Sequence, residues 1–254
     1  PGQWIVEKDW PSTEIKHAKF YLTSNGILGG DASELNNIIK SPATCGFGAG
    51  SYFPMSSSVP EQSGDQRADD AYSLCFDDNP SKTTIDIVGR PKIKLTLKSD
   101  NQCGHLCVRL CDVSPEGSST RITYGLLNLA HRESHENPTP IPVGKEFSIE
   151  LELDQIAYRL LPENKLRISL SNAYWPLVWP VAEQATLTLV KGELLLPIRQ
   201  KSDKPEYVFS DPEAASPWSR KIIKEPSYSN KIITDQMTNA VTIEIFDDYG
   251  IVED

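Results

Sequence analysis

The sequence predicts an all-β fold, a sandwich or barrel of short strands, and three observations carry that prediction. Apolar and polar residues alternate at period two in several runs, turn signals separate the runs at short intervals, and long amphipathic helical patterns are absent. The composition agrees, because 19 Pro and 15 Gly in 254 residues punctuate the chain where strands must reverse.

Three zones follow along the chain. Residues 1–65 are irregular and rich in Ser, Gly and Pro, with a few short strands; Ala32 to Ile39 is the best stretch for a short helix. Residues 66–200 form the predicted core. Ile93, Leu95 and Leu97 alternate with Lys92, Lys94, Thr96 and Lys98 after the turn Gly89-Arg90-Pro91. Leu106, Val108 and Leu110 make the next run, closed by Ser114-Pro115-Glu116-Gly117. Phe147, Ile149, Leu151 and Leu153 follow Pro142-Val143-Gly144; Leu166, Ile168 and Leu170 follow Pro162-Glu163-Asn164; Leu187 and Leu189 complete the set. Each is the pattern of a strand with one face in a core and one in water. Residues 201–254 begin polar and return to strand-like runs at Lys231–Thr234 and Val241–Phe246, as part of the same domain. The chain starts at Pro1 without a leader pattern and ends on a strand entering a turn, so it is expected to be a truncated piece of a longer protein. At this length a core needs no covalent staple.

Charge and cysteine usage exclude several functions. The formal charge is −10, with 25 Lys and Arg scattered rather than massed, so no nucleic-acid partner is expected. No apolar run approaches the ~18–20 residues of a membrane span. Five Cys, an odd number at low density, do not read as a disulfide framework. Cys103, Cys107 and Cys111 invite a zinc reading, yet on a strand residues four apart sit ~13 Å from each other. Disulfides need Cα atoms within about 7 Å, and zinc needs its thiolates at ~2.3 Å. They therefore read as structural thiols on one face, unless Gly104 bulges the strand. No Asn-X-Ser/Thr acceptor with X other than Pro occurs, in keeping with a cytoplasmic, reducing location.

Catalytic motifs are missing. Gly-x-Ser-x-Gly, whose glycines let a strained turn expose the nucleophile, does not occur, and no phosphate-binding loop does either. Gly46-Phe47-Gly48-Ala49-Gly50-Ser51 reads as a flexible loop. His131 and His135 would share a helix face, but Pro138 and Pro140 follow them, so a loop hydrogen-bonding role stands beside a metal role. Asp69-Asp70 and Asp77-Asp78 read as solvated turn residues or caps rather than an acid/base pair. No catalytic residue, metal site or cofactor is expected. Tyr174-Trp175-Pro176-Leu177-Val178-Trp179-Pro180 is unusual, since two Trp-Pro steps cannot form a central strand. It reads as a rigid loop over the sandwich edge, an anchor for a partner domain, or a stacking platform for sugar.

Several of these segments also resemble a known family. Asp65-Gln66-Arg67-Ala68-Asp69-Asp70-Ala71 leading to Ile87-Val88-Gly89-Arg90-Pro91 is similar to the entry of the C-terminal domain of the cocaine esterase and X-Pro dipeptidyl-peptidase (CocE/NonD-type) hydrolases. Arg109–Gly117, Gly125–Arg132 and Asn164–Ser171 resemble its successive strands, with Asn164 and Lys165 departing from the family's Gly-His-Arg-Leu-Arg. Trp10-Pro11 and Phe20-Tyr21-Leu22 resemble the stretch just after the hydrolase core. The resemblance implies a jelly-roll sandwich of the galactose-binding-like type, partnered by the α/β-hydrolase domain of the same parent chain and open to homo-oligomer contacts. It implies a serine hydrolase whose triad lies before Pro1, and a loop, Cys45 to Phe53, at the cleft mouth with Tyr52 and Phe53 lining the substrate pocket. Tyr174, Trp175 and Trp179 are then the candidates for domain docking. The rival reading is a carbohydrate-binding β-sandwich module.

Overall fold

The computed structural model describes residues 4–51, 62–200, 208–216 and 219–253. The chain divides into two compact units, residues 9–49 with 63–202 and residues 1–8 with 50–62 and 203–254. In the larger unit it runs through β1 (Ile15–Leu22), β2 (Leu28–Gly29), β3 (Asn37–Ile39), the single helical turn α1 (Arg67–Asp70), β4 (Leu74–Asp77), β5 (Ile85–Gly89) and β6 (Lys92–Ser99). It continues through β7 (His105–Val113), β8 (Ser119–Asn128), β9 (Phe147–Glu152), β10 (Ile156–Leu160), β11 (Lys165–Ser171) and β12 (Leu187–Arg199).

These strands make two antiparallel sheets. Sheet B has the order β4-β11-β7-β8. Sheet A is built on β12, which pairs with β6 and then β5 along one edge and with β3 and β1 along the other. Only Arg90 and Pro91 separate β5 from β6, and β10 and β9 pair with them in matching order. β5 and β6 therefore behave as one bent strand, kinked where Pro91 lacks an N–H and Gly89 takes φ +124°.

The two sheets stack as a sandwich because their alternating apolar residues have nowhere else to go. Ile93, Leu95 and Leu97 of β6 and Leu187, Leu189, Leu194 and Leu196 of β12 share one core with Leu106, Val108 and Leu110 of β7 and Leu166, Ile168 and Leu170 of β11. Each is at most 1% exposed, and each such side chain contributes about 1.5–3 kcal/mol of burial. The inward set of β12 changes phase between Leu189 and Leu194 because the register slips between Leu189 and Lys191, a bulge that flips every later side chain. Gly192 then falls on the inner face, where a Cβ would stand 2.4 Å from Leu22 Cδ1; its bareness is what lets Leu22 fill the core there.

Two expectations need correction. Ala32 to Ile39 contains no helix: Asn37–Ile39 is a strand, with Ile39 1% exposed and paired to Leu187, while Ile38 points to water at 54%. Two consecutive β-branched residues beside an open edge of β12 favour pairing over a helical turn. Further, β7 is not half-buried. Cys107, Arg109, Cys111 and Val113 on its outer side are as buried as Leu106, Val108 and Leu110 on its inner side, because irregular segments cover that face of sheet B.

In the smaller unit, β13 (Lys221–Lys224) pairs with β16 (Ile251–Glu253), and β14 (Ser227–Thr234) pairs with β15 (Val241–Asp248). The β14–β15 turn is tied by Asp235, whose carboxylate accepts from the N–H groups of Met237 and Thr238. Opposite residues share a face, so Ile232, Ile243 and Ile245 lie on one side and the Lys231–Glu244 ion pair on the other.

Candidate functional site

The outer face of sheet B carries the polar centre of the larger unit. Asp69 and Asp70, expected to be solvated, are 2% and 7% exposed. Asp70 Oδ1 lies 3.1 Å from Arg109 Nη2 and accepts from Ser169 Oγ at 2.8 Å. Its Oδ2 accepts from Ser119 Oγ at 2.7 Å and lies 3.1 Å from Arg167 Nη1. Four donors on β7, β8 and β11 therefore converge on one carboxylate at the end of α1. Arg109 is itself fully buried and donates to Gln66 Oε1 at 3.0 Å and Ser73 Oγ at 2.7 Å. A buried ion pair is tolerated where most of its lone pairs and protons are satisfied in this way; the Arg109 Nε–H alone of that guanidinium's nitrogens is buried without a partner.

Asp69 performs a different task. Its carboxylate accepts from the backbone N–H of Gly46 at 2.8 Å and of Gly48 at 3.1 Å. Gln66 closes the other side, donating through Nε2 to the carbonyls of Gly48 at 2.7 Å and Gly64 at 2.9 Å. The glycine-rich stretch is therefore strapped to α1 and its N-cap Gln66 by three hydrogen bonds and is no free loop. Glycine is required there by geometry: Gly46 has φ +113°, and a Cβ on it would stand 2.4 Å from the Trp175 carbonyl oxygen.

That contact unites two segments that the sequence presents separately. Trp175 N–H donates to the Cys45 carbonyl at 3.1 Å, so the glycine-rich and aromatic segments lie against each other. Tyr174 is fully buried; its hydroxyl donates to Gln66 Oε1 at 3.0 Å and accepts from Arg121 at 2.8 Å. A register shift in β8 beside Cys111 puts Arg121 and Tyr124 on this same outer face, where Arg121 stacks over Tyr124 at 4.4 Å. Tyr174 is thus a root of the network, while Trp175 and Trp179 meet edge to face at 5.0 Å and 79°. Trp179 stands 76% exposed. Two perpendicular indoles offer no common flat platform. Tyr52 and Phe53 lie outside the described residues.

The remaining candidates fall elsewhere. His131 and His135 stack at 6.0 Å, and His131 Nδ1 lies 3.3 Å from the Ser134 carbonyl. No group of three His, Cys, Asp or Glu side chains that could hold a metal ion occurs among the described residues. All five thiols are free, and burial pushes those of Cys107 and Cys111 up to about 12, making them inert. No helix among the described residues is long and apolar enough to cross a membrane. The Asp70 and Asp69 networks escaped the sequence reading because their partners are up to 99 residues away. One signal was legible: an arginine between Cys107 and Cys111 on an otherwise apolar strand marks an outer face that is covered.

Fold and network together define a β-sandwich whose buried charges hold loops in place. The profile of the X-Pro dipeptidyl-peptidase C-terminal non-catalytic domain matches residues 1–231, and the chain belongs to that family. Cocaine esterase from Rhodococcus sp. is 22% identical over 191 residues, covering 68% of this chain and 33% of the esterase. The chain therefore spans about a third of that relative's length. Among solved structures, an aminopeptidase from a Thaumarchaeota archaeon superposes over 78% of this chain and 39% of its own, with TM-score 0.63 and 17% identity. An α-amino acid ester hydrolase covers 71% and 36%, with TM-score 0.59 and 19% identity. A CocE/NonD family hydrolase from Staphylococcus aureus covers 78% and 39%, with TM-score 0.56 and 14% identity. At these identities the superpositions speak for the fold.

Proposed function

We propose that this chain works as the non-catalytic companion of an α/β-hydrolase domain in a longer serine hydrolase of ester or amide bonds. In this reading its sandwich is of the galactose-binding-like jelly-roll type and its role is to wall one side of the cleft. The observation that carries the reading is the joint anchoring of the glycine-rich and aromatic segments on one buried network, with Trp179 left 76% exposed beside them. A rigid mount under an exposed aromatic is what a domain needs to dock a neighbour without losing loop order. Tyr52 and Phe53, which follow the glycine-rich segment in sequence, are in this reading the candidates to line the acyl pocket, where shape selects substrates. The perpendicular setting of Trp175 and Trp179 disfavours sugar stacking across the pair.

The test uses the full-length parent protein. Trp179→Ala is expected to lower the temperature at which hydrolase activity is lost, and Phe53→Ala to change the ratio of kcat/KM for short against long p-nitrophenyl esters. Unchanged values in both variants, or turnover of those esters by the 254-residue chain alone, would overturn the reading.

A further inference from the structure

The larger unit holds a concavity on the other layer of the sandwich, sheet A, that plays no part in the docking proposed above. It is a cavity of about 540 Å³ at the end of sheet A, where β1, the β5–β6 bend and β9 come together. Trp10 stands at it, 55% exposed. Gly89 and Pro197 lie beneath: a Cβ on Gly89 would sit 3.3 Å from Pro197 and 3.9 Å from the Trp10 ring, so the bare glycine keeps the space beside the indole open.

The lining also carries Arg90, Lys92 and Glu152, and their charges do not cancel. Glu152 Oε1 takes Lys92 Nζ at 2.6 Å and Oε2 takes Arg90 Nη1 at 3.2 Å. One carboxylate therefore holds two cations; Glu150 also acts on Lys92 but is itself paired with Lys94, so the lining keeps one positive charge in excess. Glu152 takes a single N–H from each of its two cations, and a guanidinium has five to give. Those two bonds hold the Glu152 carboxyl below the usual carboxylate range, so it stays an acceptor. Gln155 beside it adds both a donor and an acceptor.

We infer that this cavity binds a hydroxylated anion with one apolar ring face, an acidic saccharide such as a hexuronate or a sugar phosphate. Each feature selects one part of that ligand. The indole takes the C–H face of a pyranose, the excess cation takes the anionic group through charge-assisted bonds, and Glu152 with Gln155 takes hydroxyl donors that an aryl acid lacks. The volume lies in the range of small-molecule pockets.

The experiment is titration of the 254-residue chain with D-glucuronate, glucose 6-phosphate, D-glucose and benzoate, followed by calorimetry and by the indole N–H resonance of Trp10. Saturable binding of glucuronate or glucose 6-phosphate, at least about tenfold tighter than glucose and benzoate, supports the site, and whichever of the two binds tighter names the anionic group. Arg90→Gln and Trp10→Phe are each expected to weaken that binding about tenfold while the far-UV spectrum stays unchanged. Equal binding of glucose or benzoate, no saturation at millimolar ligand, or an affinity indifferent to both substitutions would overturn it. Neither result bears on docking through Trp179, which is read out by activity.

Discussion

Gly46 shows how one missing methylene holds two segments together. Its N–H is bonded to Asp69, and the space where a Cβ would stand is taken by the peptide joining Tyr174 to Trp175. Alanine there would meet backbone atoms at 2.4–2.7 Å and a φ of +113°, and neither can be relieved by turning a side chain. Gly46→Ala is expected to cost about 1–3 kcal/mol in urea denaturation. Gly30→Ala, where a Cβ would meet nothing within 4 Å, serves as the control and should stay within about 0.5 kcal/mol. Equal stability of the two variants would mean the close approach carries no energy.

Strand pairing between β4 and β11 is clamped by Asp77. It takes Arg167 through Nε at 2.6 Å and Nη2 at 2.8 Å, and Lys165 at 2.5 Å. Burial alone would raise its carboxyl pKa, but the bonds from Arg167 and Lys165 outweigh burial and hold it below the usual value. A lowered folded pKa contributes stability that is present above the unfolded value, near 3.9, and is lost as pH falls through the folded one. Asp77→Asn should therefore be less stable than the parent at pH 7, with the gap closing as pH drops below about 4; chemical denaturation at a series of pH values measures it, and a gap constant with pH would refute the assignment. The strand β11 itself was legible, as were β6 and β9, because period-two alternation reports a strand with one wet face. What alternation cannot report is a second cover. Arg109, Ser169 and Ser171 look like solvent positions in the sequence and are buried in the structure, since the segments above them arrive from residues 41–49, 63–73 and 172–178. The short β3 was missed for a related reason: a three-residue strand exists through its partner, Leu187–Leu189, and too few residues alternate to announce it.

Across the whole molecule, burial is uneven. Among the described residues every buried apolar side chain belongs to the larger unit, whereas Ile232, Ile245 and Phe246 of the smaller one are 51%, 57% and 52% exposed. A two-stranded ribbon is marginal by itself in water, so the cooperative core is the sandwich. Removing residues 203–254 is expected to leave the sandwich folded, with its calorimetric midpoint within about 4 °C of the intact chain, a shift worth about 1 kcal/mol or less. Loss of the cooperative transition would show that the sandwich depends on the ribbon. The asymmetry between the sheets reaches further, into how the lineage can change. On sheet B both sides are spoken for, so a replacement at Ser169 or Arg109 disturbs several bonded neighbours at once. The weathered side of sheet A, with Lys94, Thr96 and Lys191, answers mainly to water, so replacements there leave the scaffold standing.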